Sequence, residues 1–215
     1  MAQLLSNLGT YVPDNLFASL DVPVLVKPVT LLTGQGVIKR GTVLGKITKA
    51  IGAPVKTGTG NGTCTDVSLG ATAKIGTYTM TCTAAVGNGG TFSVVDPDNM
   101  QLTNATVGTA YAGPINFKIN DGTTDFIVGD KFTIAVAAGS GKYKVVDSTS
   151  VDGSQVAERV LIADTDTTDA DVITEAYISG HFNREALIFG GEDTADDHEV
   201  ALRDLNIILS DNITY

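Results

Sequence analysis

Alternating apolar and polar residues divide this chain of 215 residues into short predicted strands. Residues 77–82 and 132–136 alternate with a period of two, which is typical of strands that bury one face. Turn sequences such as Gly87-Asn88-Gly89-Gly90 separate the apolar runs. The pattern predicts a small β-sandwich. Its predicted strands are residues 63–69, 76–84, 91–95, 115–120 and 131–136.

A second β-pattern is interrupted by that sandwich. Residues 36–48 predict a strand, a turn and a strand, and their continuation comes only at residues 141–147. We therefore predict a discontinuous domain, formed by residues 29–52 plus 141–215, with residues 53–140 inserted in a hairpin loop. The glycine-rich residues 58–62 and the small residues 137–141 are expected to be flexible hinges at the two ends of the insert.

The chain after residue 141 returns to the first domain. Strands are predicted at residues 142–146, 160–163 and 176–182. Residues 196–205 predict one short helix, with Val200, Ala201 and Leu205 on one face and acidic residues near its start. The apolar tail at residues 205–209 is expected to pair with a strand or to pack.

Residues 1–28 form a predicted N-terminal arm. The arm is apolar without sustained alternation, and prolines interrupt it. It is expected either to pack on its own domain or to dock on a partner, since a solvated tail is more polar. The apolar residues of the arm, which are the predicted contact residues, are Leu4, Leu5, Leu8, Tyr11, Val12, Leu16, Phe17 and Leu20.

Composition and charge narrow the function. Hydrophobic residues make up 43% of the chain, charged residues 18%, and glycine occurs 24 times, which favours an all-β globular protein. The formal net charge of −10 argues against nucleic-acid binding, because an acidic surface repels phosphates. No apolar run approaches the roughly 20 residues that a membrane helix needs. The N-terminus lacks a signal-peptide pattern, so synthesis in the cytoplasm is expected.

The candidate chemical sites are weak. The four aspartates between residues 164 and 171 resemble a Ca²⁺ loop, but their spacing fits a solvated acidic loop better. His181 and His198 have no Ser or Cys nucleophile placed near them by any motif. Cys64 and Cys82 are expected to be half-buried thiols or cross-strand neighbours, and a pairing stays open. We predict that the protein has no catalytic, cofactor or metal site and that it is not an enzyme.

Several segments, taken in order, resemble the bacteriophage head decoration proteins of the phage lambda type. They are Gly-Val-Ile-Lys-Arg-Gly-Thr-Val-Leu-Gly from Gly36, Lys142-Tyr143, Asp152-Gly153-Ser154, Val160-Leu161-Ile162-Ala163-Asp164, and Gly180-His181-Phe182-Asn183 with Leu187 downstream. The resemblance implies a small β-rich, trimeric virion protein on the outer surface of the expanded phage head. It implies that the protein cements neighbouring major capsid subunits, and that its arm adds to a strand of the major capsid protein. The insert departs from the short family members.

A second hypothesis concerns the insert. In this hypothesis the insert projects into solvent from a hairpin tip facing away from the shell, where it engages a host-surface glycan or protein. Aromatic residues exposed on one face would favour this hypothesis, and the candidates are Tyr78, Tyr111, Phe117 and Phe126. We prefer the interpretation that these four residues fill the core of the insert.

Overall fold

The structure is a computed structural model, which describes residues 15–211. It is mainly β, with 48% strand and 6% helix, which confirms the predicted all-β class. The strands are β1 Phe17–Ser19, β2 Leu25–Leu31, β3 Val37–Ile38, β4 Val43–Lys46, β5 Lys49–Ile51, β6 Val55–Thr57, β7 Thr63–Leu69, β8 Gly76–Val86, β9 Gly89–Val95, β10 Ala105–Thr106, β11 Ala110–Tyr111, β12 Ile115–Asn120, β13 Lys131–Ala138, β14 Tyr143–Val145, β15 Ala157–Leu161, β16 Thr165–Asp166, β17 Val172–Asn183 and β18 Ile207–Ser210. One α-helix, α1, covers Ala195–Arg203, and a 3₁₀ turn covers Arg184–Ala186. No helix within residues 15–211 is long and apolar enough to cross a membrane.

The outer segments of the chain form a closed barrel. Its strands follow the order β17, β15, β4, β14 and β2, and β2 pairs back with β17. Strand β17 continues beyond the barrel, where it pairs with β1 on one side and runs parallel to β18. The barrel core contains Val43, Val160 and Phe182. The short strands β3 and β16 pair with each other beside the barrel.

The inserted segment forms two sheets that share one separate core. The larger sheet has the order β10, β9, β8, β13 and β5, with β6 also paired to β13. The smaller sheet has the order β11, β12 and β7. Phe92 and Ile134 from the larger sheet meet Phe117 and Ile119 from the smaller sheet in the same buried cluster. This arrangement agrees with a small sandwich, because alternate side chains of both sheets face each other.

The insert lies in the connection between two neighbouring barrel strands. Strand β4 pairs antiparallel with β14, with Lys46 opposite Tyr143. The ladder then continues into the insert, where Lys49 of β5 lies opposite Ala138 of β13. The predicted domain boundaries at residues 52 and 141 stay a prediction.

The helix exists, but the predicted face is wrong. His198 and Leu202 are its buried residues, whereas Val200 is 60% exposed and Leu205 is also exposed. Successive residues of a helix are about 100° apart, so positions 198 and 202 share a face that position 200 opposes. The polar histidine at the centre of the buried face hid this pattern in the sequence. The tail after the helix forms β18, as expected for a segment that pairs.

Candidate functional site

The base of the arm is fixed at the end of β17. Phe17 and Ser19 of β1 lie opposite Phe182 and His181 of β17. The backbone N–H of Asn183 donates to the carbonyl oxygen of Leu16 at 2.9 Å. The chain therefore enters the barrel domain in a defined position at the start of the described residues.

The described arm residues divide into an anchor and an exposed position. Leu16 is 2% exposed and belongs to the barrel core. Phe17 is half-buried, stacks on Phe182 at 5.0 Å and meets the edge of Tyr177 at 5.3 Å between ring centroids. Leu20, in contrast, is 78% exposed. The predicted contact residues Leu4, Leu5, Leu8, Tyr11 and Val12 lie outside the described residues.

A short segment, residues 20–24, joins β1 to β2, and we call it the strap. His181 lies between the strap and the last strand, because its Nδ1 is 2.8 Å from Asp21 Oδ1 and its Nε2 is 2.8 Å from Ser210 Oγ. The hydrogen bond with His181 lowers the pKa of the Asp21 carboxyl. The conformation of the strap is thus tied to both β17 and β18.

The junction between barrel and insert is braced rather than hinged. The carbonyl oxygen of Asp152 accepts hydrogen bonds from the N–H groups of Thr48 at 2.8 Å and Lys49 at 2.9 Å. The Asp152 carboxylate also pairs with Lys144 at 3.1 Å. A Cβ atom on Gly45 would lie 1.9 Å from the carbonyl oxygen of Ser154, so the loop packs directly on β4. The predicted hinge at residues 137–141 is therefore wrong, since most of it continues a hydrogen-bonded ladder.

The glycine-rich segment at residues 58–62 is also held in place. The buried carboxylate of Asp130 accepts from the N–H groups of Thr59 at 2.7 Å, Gly60 at 2.9 Å and Ile127 at 3.0 Å. Burial alone would raise the pKa of Asp130, but these donors outweigh burial and lower the pKa. A Cβ atom on Gly62 would lie 2.3 Å from the Phe126 ring. Glycine is needed here for close packing, and the prediction of a flexible hinge is wrong.

All four candidate aromatic residues of the insert are buried. Tyr78, Phe117 and Phe126 lie in its core, and Tyr111 stacks on Phe117 at 4.6 Å between ring centroids. They fill the space between the two sheets. They therefore offer no exposed aromatic platform to a ligand.

The acidic loop is tied to basic residues of the same chain. Asp164 accepts from Lys39 Nζ and from the N–H of Arg40, both at 2.8 Å. At the other end of the loop, Asp171 pairs with Lys142 and accepts from the N–H of Thr33. A third candidate calcium ligand, Asp166, accepts from the N–H and the hydroxyl of Thr168. No group of three side chains suited to a metal ion occurs within residues 15–211.

The contacts of His198, the second histidine, indicate a structural role. His198 Nε2 lies 2.8 Å from Asp193 Oδ2, and the His198 ring stacks on Phe189. Ser148 Oγ donates to the other oxygen of Asp193 at 2.5 Å. The carboxylate lies between the hydroxyl and the imidazole, whereas a nucleophile needs the imidazole next to it. This cluster fastens α1 to the loop after β14.

Both cysteines are free and buried in the insert core. Burial raises the pKa of the Cys64 thiol to about 11. Burial also raises the pKa of the Cys82 thiol. Such thiols are poor nucleophiles near neutral pH, because the reactive thiolate is scarcely populated.

Comparison with known proteins decides the family. The model of the bacteriophage lambda head decoration protein D family matches residues 7–208. The chain belongs to this family. No match was found among curated proteins or among solved structures.

Family membership gives this head decoration protein its broad role. The family implies a structural, capsid-binding function, a major capsid protein as partner and a location in the virion. The matched range includes part of the arm, both segments of the barrel and the whole insert.

Sequence reasoning missed three features of the decoration protein. It did not separate Leu16 and Phe17 from the rest of the arm, although Pro13 and Asp14 interrupt the apolar sequence just before them. It used residues 152–154 for the family resemblance but did not predict that they brace the junction between barrel and insert. It did not identify the bracing role of Asp130, because two of its donors, Thr59 and Gly60, lie about 70 residues away along the chain.

Proposed function

We propose that this decoration protein binds the outer surface of the expanded head as a trimer and cements neighbouring major capsid subunits. The observation that carries the proposal is the contrast at the base of the arm. Leu16 and Phe17 pack on the barrel. Residues 1–14, which come before them, are equally apolar and join the barrel at this fixed position. An apolar segment with a firmly packed base suits an arm that binds a partner and stays attached to its own domain under load.

The proposed mechanism is reinforcement by added burial. Residues 1–14 would dock on the capsid by adding a strand, so that backbone hydrogen bonds and apolar side chains both contribute. Binding that prefers the expanded shell stabilises that shell by mass action. Three arms in one trimer would bind together far more tightly than one arm alone.

The insert is proposed to face away from the shell. The insert is attached through the paired strands β5 and β13, which we call the neck, and it has its own buried core; both features support a projecting module. The neck bracing at Asp152 would hold this module in a fixed orientation. The surface and partners of the insert carry no assigned chemistry in this proposal.

Removal of residues 1–14 tests the arm. Because Leu16 and Phe17 remain, the truncated protein should fold with an unchanged melting temperature and an unchanged sedimentation coefficient. Its affinity for expanded heads should fall by about tenfold or more, measured by co-sedimentation with heads over a range of concentrations. Saturation of heads at the full-length concentration would contradict the proposal. Sedimentation equilibrium of the full-length protein should give the mass of three chains.

The alternative function of the insert has a separate test. Residues 49–139 can be replaced by an Asn-Gly turn, since Ile47 and Lys142 already pair as neighbours in the ladder. We expect the shortened protein to saturate heads normally and virions carrying it to adsorb to cells at the normal rate. Slower adsorption with unchanged head binding would instead favour a host-surface ligand for the insert.

A further inference from the structure

Exposed apolar residues are concentrated in the strap and at the start of β2. Leu20, Val24, Leu25 and Val26 all have large exposed fractions, and Leu25 is 54% exposed. Leu25 and Val26 lie opposite Ser179 and Tyr177 of β17. Their side chains point to opposite faces of the sheet, because successive residues of a strand alternate, and Leu25 is the one that lines a groove. A group of exposed apolar residues marks a protein-binding site more often than an isolated one.

A groove opens beside Leu25. Its volume is about 240 Å³, and it is lined by Val22, Pro23, Leu25, Ser179 and Asn206. None of the lining residues is charged. A dry cavity of roughly 150 Å³ accommodates a benzene-sized group, so this groove has room for one branched or aromatic side chain. The chemistry that fits is an uncharged, apolar side chain.

The groove is already formed in the free protein. Ser179 Oγ donates to the carbonyl oxygen of Pro23 at 2.7 Å, which fixes one wall. The bond between Asp21 and His181 fixes the strap on the other side. A preformed apolar site costs little ordering entropy when a partner binds. The hydrogen bonds thus fix this exposed apolar segment in one conformation, whereas an ordinary surface loop is more mobile.

The neighbouring strand edge argues for side-chain binding rather than strand addition. In the described part of the chain, β14 pairs with β2 at Leu31 alone, so the outer edge of β2 is free before it. Pro28 lacks an N–H group, and Lys27 is exposed on the same strand. Both features protect edges against an added strand.

We infer that this groove receives an apolar side chain of the major capsid protein, as a second contact beside the arm. The inference rests on the proposed function of the arm. Val22, the first residue that lines the groove, follows Asn15, where the arm meets the barrel, by seven residues, so at most about 24 Å of chain lies between them. A capsid subunit that holds the end of the arm next to Asn15 is therefore brought close to the groove, and the second contact forms as an intramolecular event.

The test compares one groove variant with a matched surface variant. Leu25→Lys places a charge in the groove, whereas Val37→Lys places the same charge at a residue of similar exposure, 53%, on β3. With residues 1–14 intact, we expect Leu25→Lys to weaken binding to expanded heads about tenfold. Val37→Lys should bind within about twofold of the unaltered protein. Both should keep the sedimentation coefficient.

A second variant, Leu25→Ser, separates burial from charge and should also weaken head binding severalfold. Head binding that is unchanged by Leu25→Lys, or weakened by Leu25→Lys but not by Leu25→Ser, overturns the inference. A changed sedimentation coefficient in Leu25→Lys also overturns it, because the groove would then contact a second copy of this chain. Failure of the unaltered protein to bind heads would count against the proposed function itself, so the two failures are distinguishable.

Discussion

Replacement of Leu16 by alanine tests whether the base of the arm belongs to the barrel. Leu16 is 2% exposed and packs in the cluster that contains Val43, Phe182 and Leu187. Gly41 lies against it, since a Cβ atom there would be 3.1 Å from Leu16 Cδ1. We therefore expect Leu16→Ala to reduce the stability of the barrel strongly.

The magnitude follows from the buried carbons. Truncation removes three of them, at about 0.8 kcal/mol each, which gives roughly 2.4 kcal/mol for transfer to water. The cavity left behind adds to this value, so a total of about 2.5–4 kcal/mol is expected. In a domain of about 100 residues this loss lowers the melting temperature by roughly 10 °C or more.

The assay must follow the barrel separately, because the insert has its own core. Hydrogen exchange of peptides from β17, measured by mass spectrometry over a urea series, reports on the barrel. Leu20→Ala is the matched control and should change stability by less than about 0.5 kcal/mol, since Leu20 is exposed. A Leu16→Ala protein as stable as this control would refute the division of the described arm residues into a buried anchor and the exposed Leu20.

Three further predictions concern the insert and the barrel strand next to it. Because the pKa of Asp130 is lowered in the folded protein, its contribution to insert stability is present above about pH 4 and is lost as pH falls through the folded-state pKa. Asp130→Asn should therefore cost about 1–3 kcal/mol of stability at pH 7. It should also flatten the fall of the melting temperature towards acid pH, in melting curves recorded from pH 3 to 7. Equal slopes in the two proteins would disprove this role. Gly45→Ala should destabilise the barrel by more than about 2 kcal/mol in urea titrations, whereas Gly87→Ala, whose Cβ would lie 3.9 Å from its nearest neighbour, should have an effect below about 0.5 kcal/mol. The two thiols should react with Ellman's reagent at pH 8 only after unfolding, because burial raises both pKa values, and rapid reaction of the native protein would contradict their burial.

Local patterns predicted most of the insert. The predicted strands at residues 63–69 and 115–120 match β7 and β12, and the others differ at their ends. The alternation was readable because each strand buries one face against the opposite sheet. The interruption between residues 48 and 141 was readable for a related reason, since β4 and β14 remain hairpin neighbours whatever lies between them.

Long-range contacts were harder to predict. The sequence offers no local sign that β2 pairs back with β17 to close the barrel, because the paired residues are about 150 positions apart. The groove depends on the same closure, since Leu25 reaches Ser179 only through it. The anchor role of Leu16 was hidden because an apolar residue near a terminus has the same appearance whether it faces its own core or a partner.

Electron microscopy of expanded heads with and without this protein tests the central claim most directly. We predict added density on the outer surface at positions of three-fold symmetry, with the barrel against the shell, residues 1–14 on a major capsid subunit and the insert pointing outward. Heads that show no added density after incubation with saturating protein, or density on the inner surface, would contradict the account.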